Sequence, residues 1–197
     1  MLELREIANV LSGVSVREAI HGAARFMRLS DLSEIKAGKS PALAIGETPA
    51  VARALTIEEG DLIVGARGVT TDVCVATGAV FGAFVSLDLY LVRPNRALVN
   101  PQYLAAFLDL PTTQAALSGG KQGTGLARLA KEALEKTEVP LPPMERQQLI
   151  AGLAQSFERE ARLLKQLANL NTILSREAVT RAIRAADTGR NFSRSAQ

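Results

Sequence analysis

From residue 144 to residue 186 the sequence contains no proline, and Gly152 is its one glycine. Ile150, Leu153, Phe157, Leu164, Leu167, Leu174 and Ala178 recur there in steps of three and four, with Glu160 and Asn171 on the same seam. This heptad-like spacing predicts one long helix with a continuous apolar edge. Pro142-Pro143 marks its start, since a proline is tolerated in a first helical turn. Glu145 suits the positive end of the helix dipole, and Glu158 and Arg162 stand four residues apart in the favourable order. At 1.5 Å per residue such a helix is on the order of 60 Å long. The residues before it could not cover that length, so the seam needs a partner.

Residues 1–142 have a different texture. "RFMRLSDL" reads as a strand from Phe26, and "GDLIVGARG" is an apolar run bounded by glycines. "DVCVATGAVFGAFVSL" reads as two strands around Thr77-Gly78, and "DLYLVRP" as another that ends at Pro94. Residues 37–50 read as a loop. Helical periodicity begins at "PQYLAAFLDL", with Pro101 at a first helical position and Leu104, Phe107 and Leu108 on one face; "TTQAALS" follows Pro111 as a second short helix. Strands and helices do not alternate regularly, so the expected class is α+β: a strand-rich domain over 1–142, a long helix over 143–186, and a flexible tail over 187–197.

Composition removes several classes of function. The chain is 47% hydrophobic, enough to fill a core. Its longest uncharged stretch, Val73 to Leu87, is shorter than the roughly 18 residues of a membrane span, and Gly78 and Gly82 interrupt it. The N-terminus has no basic start followed by an apolar run, so no signal peptide is read. Cys74 is the single cysteine and His21 the single histidine, which leaves no disulfide framework and no metal-ligand set. A cytoplasmic setting fits. Ser/His/Asp catalysis would have to use His21, in a segment of no distinctive pattern. "GGKQGTG" lacks the GK[ST] of a phosphate loop. Asp61, Asp72 and Asp88 flank strands, where carboxylates commonly begin or end turns. No catalytic set is expected.

One polar segment remains. In residues 119–128, Lys121 and Arg128 could contact phosphates, Gln122 and Thr124 could read base edges, and the glycines permit close backbone approach. Arg67 sits at a turn between two apparent strands and could join them. On chemistry alone these could equally be ordinary surface residues. The net charge of +3 decides nothing, because residues 176–197 hold five arginines against two acids and account for the whole excess.

The order of features carries more. "LTIEEGDLIVGARG", "LDLYLVRPN", "VNPQYLAAFL", "GGKQGTGLARLAKEALEKTEVPLPP" and "ERQQLIAGL" follow one another. Together they resemble one half of the specificity subunit of type I restriction–modification enzymes, over nearly the whole chain. That family usually carries two target-recognition domains, each followed by a long helix. The helices pair antiparallel and dock modification subunits. The modification subunits bind S-adenosylmethionine and methylate adenine, and restriction subunits, where present, cleave DNA.

The resemblance implies a non-catalytic chain with no cofactor of its own, and the sequence has no NPP[YF]-type methyltransferase motif. It implies that Lys121, Gln122, Thr124 and Arg128 lie in a loop facing double-stranded DNA, with Arg67 at another edge of that face. It implies an adenine methyltransferase partner and a bipartite site. The sequence departs from the pattern in having one domain and one helix, so an antiparallel homodimer is expected. Ile150, Leu153, Phe157, Leu164, Leu167 and Leu174 would be its contacts, and Asn171 would set its register. The competing reading is a coiled-coil adaptor that keeps the fold but binds protein.

Overall fold

The computed structural model describes residues 1–50, 54–68, 70–122 and 127–194. It resolves into two units, Met1–Gln155 and Ser156–Gln197. The first unit is organised around a four-stranded antiparallel sheet. Its strands are β2 (Ala8–Ser12), β5 (Leu62–Gly65), β6 (Val73–Val75) and β8 (Leu89–Pro94), in the order β2-β8-β5-β6. The register sets Val10 against Val92, and Ile63 between Leu91 and Cys74.

Both faces of this sheet are covered. One packs Leu62, Val64, Tyr90 and Val92 against Tyr103, Leu104, Leu108, Leu117 and Leu134. The other packs Ile63, Leu89 and Leu91 against Met27, Leu32, Ile35 and Val80. Successive residues of a strand point to opposite faces, so burial on both sides demands an unbroken apolar run. That is why "LIVG" and "LYLV" stand out in the sequence.

The helices of the first face are α3 (Pro101–Leu108), α4 (Pro111–Gly119) and α5 (Lys131–Glu135). Asn100 caps α3 by accepting from the Tyr103 N–H at 3.0 Å, and Pro101 occupies the first turn as expected. On the second face lies α2 (Leu29–Lys36), together with a three-stranded sheet of β4 (Ala44–Gly46), β3 (Ala24–Met27) and β7 (Phe84–Val85) in the order β4-β3-β7. Two corrections follow. The strand read in "RFMRLSDL" runs only to Met27. Asp31 then accepts from the Arg28 N–H at 2.7 Å, half of a capping box, and α2 begins. Residues 37–50 are not all loop, because β4 pairs antiparallel with β3 there.

The remaining short elements are β1 (Leu2–Glu3), α1 (Leu4–Ile7), β9 (Lys121–Gln122), β10 (Arg128–Leu129) and β11 (Glu138–Val139). The pair β1–β11 joins the start of the first unit to the strand that leads into the final helix. "DVCVATGAVFGAFVSL" does hold two strands, but they join different sheets, with a 3-10 turn at Gly78–Val80 between them.

One of the strand-flanking carboxylates, Asp61, holds the fold together. Asp61 is 1% exposed and grips Arg93 through two hydrogen bonds, Nε to Oδ1 at 2.9 Å and Nη2 to Oδ2 at 2.8 Å. The Glu58 N–H also donates to it, at 2.8 Å. The Asp61 hydrogen bond, against some burial, raises the Arg93 pKa, so the guanidinium stays charged.

The final helix, α6, spans Met144–Arg194, beyond the end expected near residue 186. Pro143 stands just before it, and its carbonyl accepts from Arg146 N–H at 2.9 Å and Gln147 N–H at 3.1 Å. Gln147, 2% exposed, ties the helix root to its own unit. Its Oε1 accepts from Asn100 N–H at 2.9 Å, and its Nε2 donates to the carbonyls of Pro142 at 2.9 Å and Leu98 at 3.2 Å. Glu158 and Arg162 make no ion pair among the described residues; a solvated pair gains only about 0.3–0.5 kcal/mol, too little to order two long side chains.

Candidate nucleic-acid interface

Three of the sequence-predicted DNA residues meet at one corner of the first unit. Lys121 and Arg128 lie on β9 and β10, which pair antiparallel with Arg128 opposite Gln122 and Leu129 opposite Lys121. The root of the expected flexible loop is therefore ordered strand. Arg67, just beyond β5, forms an antiparallel bridge with Arg128. The Leu129 N–H donates to the Ala66 carbonyl at 2.8 Å, fastening this small ladder to the end of the main sheet. Thr124 and the side chain of Gln122 lie outside the described residues.

Each cation has a defined setting. The Arg128 guanidinium lies 5.4 Å from the Tyr90 ring centroid, within cation–π range. Lys121 Nζ donates to the Gly68 carbonyl at 2.8 Å. Gly68 has φ +109°, a conformation that glycine adopts without strain, and this turns its carbonyl at the end of the Arg67 turn. Burial lowers the Lys121 pKa, against the opposing charge of Asp72. Arg67 Nε stands 2.6 Å from Asp88 Oδ1.

Sequence reasoning missed the supports of this corner. Lys36, at the end of α2, lies 3.1 Å from Asp72 and 3.5 Å from Asp109. Burial opposes its charge, but the Asp72 hydrogen bond and the two carboxylates outweigh it and raise its pKa. Gln114 on α4 holds the Thr71 peptide by both ends: its Oε1 accepts from Thr71 N–H at 2.9 Å and its Nε2 donates to Thr71 O at 2.8 Å. That amide also donates to Leu108 O at 2.8 Å. The β5–β6 turn bearing Arg67 is thus braced from α2, α4 and β9. The polar spacing of "PTTQAAL" was the one local hint of the glutamine. Asp72 and Asp88 were visible only as strand-flanking carboxylates.

On α6, Ile150 is 38% exposed and Leu153 58%. In the second unit Phe157, Leu164, Leu167, Asn171 and Leu174 are all exposed, and Leu163, Leu170 and Ile173 add a second exposed row that the heptad reading omitted. His21 is exposed in a turn. Among the described residues, no cluster of three or more His, Cys, Asp or Glu side chains could hold a metal ion. Nor is any helix among them long and apolar enough to cross a membrane.

A family model for the type I restriction modification DNA specificity domain matches residues 50–172, more than half of the chain. No curated protein matches. Among solved structures, the S subunit of a type I restriction–modification system from M. genitalium aligns with a TM-score of 0.57 at 13% identity, over 86% of this chain and 41% of that one. The HsdS subunit from Thermoanaerobacter tengcongensis aligns at 0.55 and 18% identity, over 84% and 38%. A chain from a structure addressing complex assembly and conformational transition of the type I R-M system aligns at 0.62 and 22% identity, over 88% and 46%. At these identities the likeness is one of fold. The chain spans less than half the length of each of the three.

Proposed function

Because the chain belongs to the type I restriction–modification DNA specificity family, we propose that it is a non-catalytic DNA-recognition subunit. It binds duplex DNA through the corner that bears Arg67, Lys121 and Arg128, with Gln122 and Thr124 on the connecting segment. It directs an adenine methyltransferase, which carries the S-adenosylmethionine, to a bipartite site in the cytoplasm; a restriction subunit completes those assemblies that cleave. The exposed apolar seam of the final helix supports antiparallel pairing with a second helix of the same kind, and a second copy of this chain would then read an identical half-site.

The observation that carries this reading is the convergence of Arg67 with Lys121 and Arg128, a pair from a distant part of the sequence, on one braced turn and ladder. Cations on a rigid frame suit phosphate and base contacts better than cations on long loops do, because less side-chain order is lost on binding. The experiment is a salt series of duplex binding by the wild type and by Lys121→Ala/Arg128→Ala. Affinity is expected to fall, and the slope of log affinity against log salt to shrink by roughly one per lost phosphate contact. Unchanged affinity and slope would favour the protein-binding adaptor.

A further inference from the structure

We propose that Arg67 is a guanine-reading side chain and that Asp88 is the positioning residue that gives it this role. The inference rests on the reading of this corner as a duplex-DNA surface, and it assigns the chemistry that one residue recognises there.

Asp88 is fixed by the backbone. Its carbonyl accepts from Ala66 N–H at 2.8 Å, next to Arg67 in the chain. Its turn is closed by Leu89 N–H donating to Ser86 O at 2.9 Å, and Ser86 N–H is held by Met27 O at 2.9 Å. These bonds fix its backbone beside Arg67, and the carboxylate places Oδ1 2.6 Å from Nε. Nε itself is buried and has no hydrogen bond of good geometry, so its contact with Asp88 is an ion pair alone, and the Arg67 side chain remains 39% exposed. The exposed part lies elsewhere on the side chain, and the guanidinium's terminal nitrogens make no hydrogen bond among the described residues.

This arrangement suits a base edge better than a phosphate. A phosphate at Arg67 would lie close to the Asp88 carboxylate, and the like charges would repel. The pairing also cancels most of the charge that attracts a phosphate from a distance. What survives is the planar fork of two terminal nitrogens, which matches the O6 and N7 acceptors of guanine in the major groove. Guanine is neutral, so the nearby carboxylate does not repel it. The Asp88 contact also orders the side chain in advance, lowering the entropy lost on binding.

The test uses the full chain, alone and with the modification subunit it co-purifies with, on a pool of duplexes randomised in sequence. Wild type is expected to enrich a site with guanine at one or more positions. Arg67→Lys keeps the charge and loses the fork. It should lose guanine preference at one position of each half-site, with affinity for the selected duplex down about tenfold to a hundredfold and an unchanged salt slope. Asp88→Asn is isosteric and unmasks the arginine. It should bind unselected duplex more tightly, steepen the salt slope by about one and weaken the same guanine preference. A merely structural ion pair would move neither preference nor slope. If wild type enriches a site and both variants keep every base preference, this assignment fails and the DNA-recognition reading stands. If wild type binds no duplex in either form, both fail. Should Arg67→Lys melt early, Asp88→Asn decides alone.

Discussion

The Tyr90 hydroxyl donates a hydrogen bond to the Leu129 carbonyl, 2.7 Å away and buried, on the strand that also carries Arg128. Tyr90 sits on β8 in the middle of the main sheet and is 2% exposed. One side chain thus ties the candidate DNA-contacting ladder to the core and supports the Arg128 guanidinium with its ring.

Tyr90→Phe keeps the ring and removes the donor, leaving the Leu129 carbonyl without its buried partner. The expected loss is about 1–3 kcal/mol. Urea denaturation measures it. Hydrogen exchange at the Leu129 amide should accelerate more than exchange at the centre of β5, because the ladder opens before the sheet does. Uniform acceleration across both would mean that Tyr90 serves the core alone.

Gln147 predicts a sharp contrast with its neighbour. Gln147→Leu fills similar space but deprives Asn100 N–H, Leu98 O and Pro142 O of their partner. A cost of about 2–4 kcal/mol is expected, since these groups cannot all reach water. Gln148 is exposed, so Gln148→Leu should lie within about 0.5 kcal/mol of wild type. Paired thermal melts of the two variants compare them directly.

Lys36 carries a pH signature. Its pKa in the folded chain is raised above the ordinary 10.5, so its contribution to stability is fully present below about that pH and is lost as pH rises through the folded value. The Lys36–Asp72 and Lys36–Asp109 pairs are more than a third exposed, which limits that contribution to under about 1 kcal/mol. Lys36→Met should therefore be slightly less stable than wild type by a constant margin from neutral pH upward, and the gap should close only above pH 10.5. Denaturant melts across that range would expose a gap that instead widens with pH.

Leu164 lies near the middle of the seam and is 58% exposed in the single chain. In an antiparallel pair it meets its own symmetry mate or a close neighbour. Leu164→Asp should leave the melting of the first unit unchanged and weaken self-association by at least about a hundredfold, through burial of a charge at the contact. Sedimentation velocity across a concentration series reads both states. Identical association of variant and wild type would place the contact elsewhere.

The long helix was legible because its apolar period is local and sustained over many turns. Strands β5 and β8 were legible because burial on both faces writes a continuous apolar run into the sequence. Pro101 marked the start of α3 because its fixed φ and missing N–H suit a first turn. Where a short segment satisfied two periods, local reading failed. "RFMRLSDL" fits a strand and a helix start equally well over so few residues; pairing with β4 and β7 makes its first part a strand, and the Asp31 side chain bonding to the Arg28 N–H starts the helix. Strand β4 was hidden among glycine and proline because its order comes from pairing with β3, not from its own residues.

The candidate site divides in the same way. Sequence pattern, through its resemblance to a family, singled out Arg67, Lys121 and Arg128 as types of residue that can meet DNA. That Arg67 and Arg128 form a bridge, that Asp88 stands against one and Tyr90 beneath the other, and that Gln114 braces the turn bearing Arg67 was decided by the tertiary structure alone. Periodicity reports which face of an element is buried, because neighbours along the chain share that face. A hydrogen bond or ion pair between distant segments leaves no such local trace, since its geometry exists only once the sheet and helices have packed.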